Sequence, residues 1–198
     1  MKRIRLFSMA VLLVGVTQVC ATEIVGVHGS STQYTTTMDI TVGDKPAHLI
    51  LTGIAVRQKY FFNVYAIASY VLEGTAIHNA EELAAINQPK QLHIVMERDV
   101  SGNDLAEAFL VAIRQNHPTP EFNDEVNRLI EMVRNIDFKA GDHIYLTHQP
   151  GIGLRCNVVG KGDFTIENAD FSRAIWDIYL GANNLGDGIK KGLVSRLK

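Results

Sequence analysis

The 198-residue chain carries 19 Lys and Arg against 21 Asp and Glu, a formal net charge of −2, and 46% hydrophobic residues. This composition suits a globular domain with a full apolar core and gives no basic footprint for nucleic acid or an anionic membrane surface. Of its two cysteines, Cys20 and Cys156, the first falls in an expected leader, so no intramolecular disulfide is available and packing has to supply the stability.

Lys2, Arg3 and Arg5 make a basic start, Leu6 to Val16 an apolar run, and Val19-Cys20-Ala21 a cleavage site. Residues 1–21 read as a secretory signal peptide cut after Ala21. The apolar run is shorter than the roughly 20 residues that span a bilayer, so no stable membrane insertion is expected. Residues 22–32 are a lead-in with a short strand at Ile24 to Val27. Gln33 to Val42, rich in Thr and other β-branched residues, reads as a strand. Gly43-Asp44-Lys45-Pro46 is a turn, and Ala47 to Val56 returns as the second arm of a hairpin.

Leu49 to Leu72 is the most apolar and aromatic stretch beyond the leader. From Phe61 to Tyr70 both alternating sets of side chains are largely apolar, which marks a central strand covered on both faces. Asn79 caps a short helix, Ala80 to Ile86, and Pro89 closes it. Gln91 to Met96 is a strand. Ser101 to Asp104 opens a helix whose apolar face is Leu105, Phe109, Ala112 and Ile113, and His117-Pro118-Thr119-Pro120 stops it. A second helix runs from about Glu121 to Arg134. Ile144, Leu146, Leu154, Cys156 and Val158 belong to a meander with turns at Gln149 to Gly153 and Gly160 to Asp163. Asn168 to Leu180 is a helix, and Leu185, Ile189, Leu193 and Leu197 are spaced four apart in a last one. Strands, two helices, strands and two helices define an α+β fold with an antiparallel sheet.

No metal-ligand spacing, nucleotide loop or nucleophile elbow is present, so no cofactor and no metal are expected. Cys156, in an apolar strand, reads as an inert buried thiol. Asp163, Asp170 and Asp177 read as turn, cap and solvent-face residues. Arg57 is the notable charge. Either it sits in water at a bend between two strands, or it stands above an apolar cleft and binds an anionic head group through its bidentate fork. In the second case Tyr65 or Tyr70 adds a hydroxyl donor and the ligand is amphipathic.

Leu51 to Val71, Glu97-Arg98-Asp99-Val100-Ser101 with Leu105 to Gln115, Lys139-Ala140-Gly141-Asp142, Pro150-Gly151-Ile152-Gly153, and Ala169 to Trp176 with Leu180-Gly181 together resemble the chalcone isomerase superfamily, in its bacterial chalcone isomerase-like branch. The resemblance covers about residues 33–197 and implies an open-faced β-sandwich, a large antiparallel sheet covered by a layer of helices, over a single domain, 22–198. In the plant enzymes an arginine at the Arg57 position stabilises the substrate oxyanion during an intramolecular Michael addition. Their network threonine falls at Tyr65, their catalytic tyrosine near Gly102, the following asparagine near Phe109 and a late specificity threonine near Ile178. The fatty-acid-binding members keep an arginine and a tyrosine at about the Arg57 and Tyr65 positions.

The leader and the resemblance together imply an exported, periplasmic, non-catalytic protein that binds a fatty acid or similar amphipathic anion. Arg57, Tyr65, Tyr70, Phe109 and Ile178 are the candidate ligand-binding residues. A chalcone isomerase-type intramolecular lyase acting through Arg57 and a ligand-free interaction module are the alternatives. The sequence leaves the oligomeric state open.

Overall fold

The computed structural model describes residues 23–197, so the expected leader lies outside it. β1 (Ile24–Gly26) and β2 (Gln33–Thr35) form a small antiparallel ribbon. β3 (Thr37–Val42), β4 (Lys45–Lys59), β5 (Phe62–Leu72), β6 (Lys90–Met96), β7 (His143–Gln149), β8 (Gly153–Val158) and β9 (Gly162–Ile166) build a seven-stranded sheet in chain order, every neighbouring pair antiparallel. The helices α1 (Ala80–Ala85), α2 (Gly102–Asn116), α3 (Asn123–Arg134), α4 (Ala169–Leu180) and α5 (Asp187–Leu193) complete the fold. α4 packs on β7 and β8, α5 on β4, and α2 against α3 and α4.

The central strand has two cores. Tyr65, Ile67 and Val71 of β5 join the helices, together with Leu92, Ile94, Phe171, Ile175 and Trp176. Ala66, Ala68 and Tyr70 face the other way, toward Leu49, Leu51 and the ribbon's Tyr34. Each large apolar side chain buried in this way contributes on the order of 1.5–3 kcal/mol. The alternation along β5 thus has apolar cover on both faces, and Ser69 is the one non-aromatic polar side chain in the run Val64 to Val71.

Three segments depart from the expected boundaries. Gln33 to Val42 is two strands in two sheets. Thr36 makes the crossing, its amide donating to Glu23 O (2.8 Å) in the ribbon while its carbonyl accepts from Leu51 N (2.9 Å) in the sheet. A run of β-branched residues does not record such a change of partner. Lys45 and Pro46 belong to β4, not to the turn, and Pro46 pairs with Thr41. The missing Pro46 N–H costs no bond to β5, because β5 pairs with β4 only from Leu49 onward. The last helix is short: the Arg196 amide leaves the helical pattern to donate to Thr52 O (2.9 Å), and Leu185 and Leu197 lie outside the helix.

Several polar groups are buried on the two faces. Lys90 is fully buried and caps α1, donating to the carbonyls of Leu83 (2.9 Å) and Ala84 (2.6 Å) beside the Trp176 ring. Burial, aided by the charge of Arg173, lowers its pKa to about 7. His148 has Nδ1 2.9 Å from Ser172 Oγ and Nε2 3.0 Å from Asn87 Oδ1, a pair of bonds that a neutral imidazole satisfies. Burial, with help from Lys90 and Arg173, pushes its pKa down to about 4. His93, against His143 and Tyr34, is pushed down to about 3, chiefly by burial and then by His143.

Both histidines are therefore neutral when folded and protonate near pH 6.5 when unfolded. The unfolded chain takes up more protons below that point, so the stability present above pH 6.5 is lost progressively as pH falls toward 4 and 3. Urea unfolding between pH 7 and pH 4 is expected to show falling midpoints. His148→Gln should flatten part of that slope, and an unchanged slope would count against the assignment.

Candidate binding site

Two irregularities in the β4–β5 pairing aim the site. Leu51 pairs with Tyr70 and Gly53 with Ser69, so Thr52 is an extra residue on β4. The bulge reverses the parity of the strand. Leu49 and Leu51 face the ribbon side, whereas Ala55, also odd-numbered, faces the helices. Arg57 follows Ala55 onto the helix face, directly across from Tyr65. A second shift between Arg57 and Gln58 leaves Val64 unpaired with β4 and turned into the same wall.

The bulge is held from α5. Thr52 Oγ1 lies 2.9 Å from Leu193 O and 3.0 Å from Ser69 O. α5 can come this close because two glycines meet: a Cβ on Gly53 would lie 2.1 Å from Gly192 O, and one on Gly192 would lie 2.6 Å from Ile54 O. The segment before α5 then carries Leu185 to the rim, where its carbonyl accepts from Arg57 Nη1 at 3.2 Å.

Between this part of the sheet and α2 lies a cavity of about 140 Å³. Its apolar wall includes Val64, Leu105, Phe109, Ala112, Ile178 and Leu185, and its polar groups are Arg57, Lys59, Tyr65, Arg98, Asp104 and Tyr179. It opens into a groove of about 630 Å³ along α2, rimmed by Arg57, Lys59, Arg98, Asp99, Asp104 and Glu107. Behind Leu105 and Phe109 a void of about 10 Å³ is lined wholly by apolar residues and Cys156.

The donors converge at one end. Tyr65 and Tyr179 are both buried, with hydroxyls 3.5 Å apart. Burial raises the pKa of each; for Tyr65 the hydroxyl of Tyr179 and the charge of Arg57 oppose the rise in part, and for Tyr179 the neighbouring Tyr65 adds to it. The phenols stay protonated at neutral pH and act as donors, not bases. One can donate to the other, which leaves a hydroxyl proton for a ligand. Arg57 is half-buried, and its bond to Leu185 O leaves guanidinium N–H groups available for a bidentate acceptor. Asp104 accepts from Ser101 Oγ at 2.7 Å at the start of α2, where the helix dipole favours an acid.

Arg57, Tyr65, Phe109 and Ile178 thus line one cavity. The bend in the chain is at Tyr60 and Phe61, beyond Arg57. Tyr70 is a correction. It is five residues from Tyr65, hence on the opposite face, where its hydroxyl donates to Thr35 O at 2.8 Å and fastens β2. Gly102 does not face the cavity either; a Cβ there would lie 2.4 Å from both Arg134 O and Ile136 O. Tyr179 was not among the sequence candidates, although its spacing from Phe171 and Ile175 puts it on the buried stripe of α4. Lys59 and Arg98 were also missed, because exposed cations beside a turn read as solvent residues. Among the described residues no group of three or more His, Cys, Asp or Glu is placed to hold a metal. Cys156 is buried, and burial raises its thiol pKa to about 12, with Asp163 adding to the rise.

A curled antiparallel sheet with helices on one face, and a donor-ended apolar cavity between them, defines an open-faced β-sandwich of the α+β class. Residues 28–195 match the family described as "Chalcone isomerase-like", and the chain belongs to that family. In fold it is similar to the crystal structure of a fatty-acid binding protein from Arabidopsis thaliana, with a TM-score of 0.66 at 14% sequence identity, covering 87% of this chain and 96% of the other. No curated protein matches the chain by sequence. Among the described residues no helix is long and apolar enough to cross a membrane.

Proposed function

We propose that the cavity binds the anionic head and first part of the tail of a fatty acid or similar amphipathic carboxylate, without catalysis. The observation that carries this reading is the convergence of Arg57, Tyr65 and Tyr179 in a chamber whose wall is otherwise apolar apart from Lys59, Arg98 and Asp104, which also line the mouth groove. The Arg57 guanidinium takes the carboxylate and a tyrosine hydroxyl donates to it. Val64, Leu105, Phe109 and Ile178 enclose the tail. A dry cavity of about 150 Å³ admits a molecule the size of benzene, so the 140 Å³ chamber takes only a few carbons of a chain. The remainder lies in the mouth groove or displaces Phe109 toward the void behind it. The likeness to a fatty-acid binding protein supports the reading.

Two features favour binding over isomerisation. The position near which the plant catalytic tyrosine falls is Gly102, packed against the end of α3 with no room for a side chain. The phenols that are present are protonated donors held above their ordinary pKa by burial. Arg57 alone polarises an oxyanion but moves no proton. The reading extends to export across the inner membrane of a bacterium after removal of residues 1–21, and to membership of the bacterial branch of the family.

Native mass spectrometry of the purified protein, with lipid extraction, tests the proposal. A fatty-acid adduct, or one acquired on adding a medium-chain fatty acid, is expected, while a chalcone should cyclise no faster than in buffer. An empty protein that takes up no fatty acid would sink the binding reading. An Arg57-dependent cyclisation rate would replace it with the lyase.

A further inference from the structure

We infer that the tip of the β4–β5 hairpin docks on the headgroup region of an anionic phospholipid bilayer and sets the cavity mouth against it. Tyr60, Phe61 and Phe62 are 83%, 97% and 66% exposed, three consecutive aromatics at one projecting point. The tip overhangs the sheet: β6 pairs with β5 only from Tyr65 onward, and β3 reaches β4 only as far as Ile50. Tyr60 holds φ at 53°, a left-handed conformation usually left to glycine or asparagine in such a turn. Glycine would fit that backbone without the Cβ clash, so Tyr60 stands there against local preference.

The base of the tip is pinned. Gln58 Nε2 donates to Asn63 Oδ1 (2.9 Å), and Asn63 Nδ2 donates to Glu97 Oε2 (2.7 Å) and Gly29 O (2.8 Å). Glu97 also accepts from the hydroxyls of Ser30 and Thr32. The aromatics are therefore carried on a braced support.

The charge beside the tip is complementary to an anionic surface. Arg57, Lys59 and Arg98 rim the mouth. Among the described residues none of the three forms an ion pair with a carboxylate. The acids of the mouth lie on the α2 side. There Asp99 is engaged by Lys139 Nζ (3.0 Å) and the Ala140 amide (3.0 Å), while Asp104, which accepts from the neutral Ser101 hydroxyl, and Glu107 have no cationic partner among the described residues, so the three cations outnumber the unpaired acids of the mouth. The overall charge of −2 shows no such footprint because it averages over the surface; the fold gathers the cations on one rim. Each cation held at an anionic surface strengthens binding roughly fivefold, and aromatic rings settle at headgroup depth. The docking is peripheral. Passage of an acyl chain between bilayer and cavity rests on the ligand reading above; the docking itself does not.

Flotation of the purified protein tests the inference, using vesicles of phosphatidylcholine alone or mixed with phosphatidylglycerol. The protein should float with the mixed vesicles and bind the neutral ones at least about tenfold more weakly. The double variant Phe61→Ser, Phe62→Ser should lose at least about tenfold on the mixed vesicles. Neither side chain lines the cavity, so the variant should keep the wild-type thermal midpoint and affinity for a dissolved medium-chain fatty acid. Vesicle binding without fatty-acid binding would defeat the ligand reading and leave the docking standing. Fatty-acid binding with no vesicle binding, or equal vesicle binding by the double variant, would overturn the docking. A concentration-dependent dimer that the double variant loses would also overturn it, assigning the tip to a second copy of the chain.

Discussion

Gly53→Ala is expected to destabilise the protein by at least about 3 kcal/mol, read as a lower urea midpoint at unchanged slope. The added methyl would lie 2.1 Å from Gly192 O and 2.5 Å from Leu193 C, both main-chain atoms. No side-chain rotation relieves that overlap, so α5 has to lift from β4. Lifting exposes Ile189 and Leu193, each worth about 1.5–3 kcal/mol of burial, and breaks the contact between Thr52 Oγ1 and Leu193 O. It also withdraws the Leu185 carbonyl from Arg57, so ligand affinity should fall with stability. Gly188→Ala, in the same helix but with open space around its Cβ position, provides the control. It should stabilise by about 0.5–1 kcal/mol through helix propensity. Equal midpoints for Gly53→Ala and wild type would refute the glycine contact.

Arg57→Ala is expected to weaken binding of a medium-chain fatty acid roughly 10- to 100-fold, the equivalent of one charge-assisted contact worth about 1.5–3 kcal/mol. Stability should change far less. In the free protein Arg57 is half-buried and, among the described residues, makes a single hydrogen bond, to the Leu185 carbonyl. Tyr65→Phe removes a neutral donor and should cost less than about tenfold. Titration calorimetry with both variants checks the ranking; a larger loss in Tyr65→Phe would move the anchor from the guanidinium to the phenols.

Much of the sheet was legible in the sequence because its strands alternate cleanly. Gln91 to Met96 and the meander through Ile144, Leu154 and Val158 lie where the period of two puts them. Arg57 was legible as a charge inside an apolar run. The face it occupies was not, because the Thr52 bulge reverses parity and depends on α5, more than a hundred residues away in the chain. Tyr70 shares a strand with Tyr65, but its odd separation from Tyr65 puts it on the other face. Tyr179 escaped notice for a different reason: in a helix stripe with Phe171 and Ile175, a tyrosine is indistinguishable from core. Lys59 and Arg98 acquire meaning only when the β4–β5 hairpin and the segment before α2 come together at one mouth.

The most direct test of the anion anchor is a paired titration at neutral pH of the wild-type protein with a medium-chain fatty acid and with its methyl ester. The two ligands share a tail and differ in charge. The acid is predicted to bind at least about tenfold more tightly, and Arg57→Ala to abolish the difference. Equal affinities for acid and ester in the wild-type protein would contradict an anion site at Arg57.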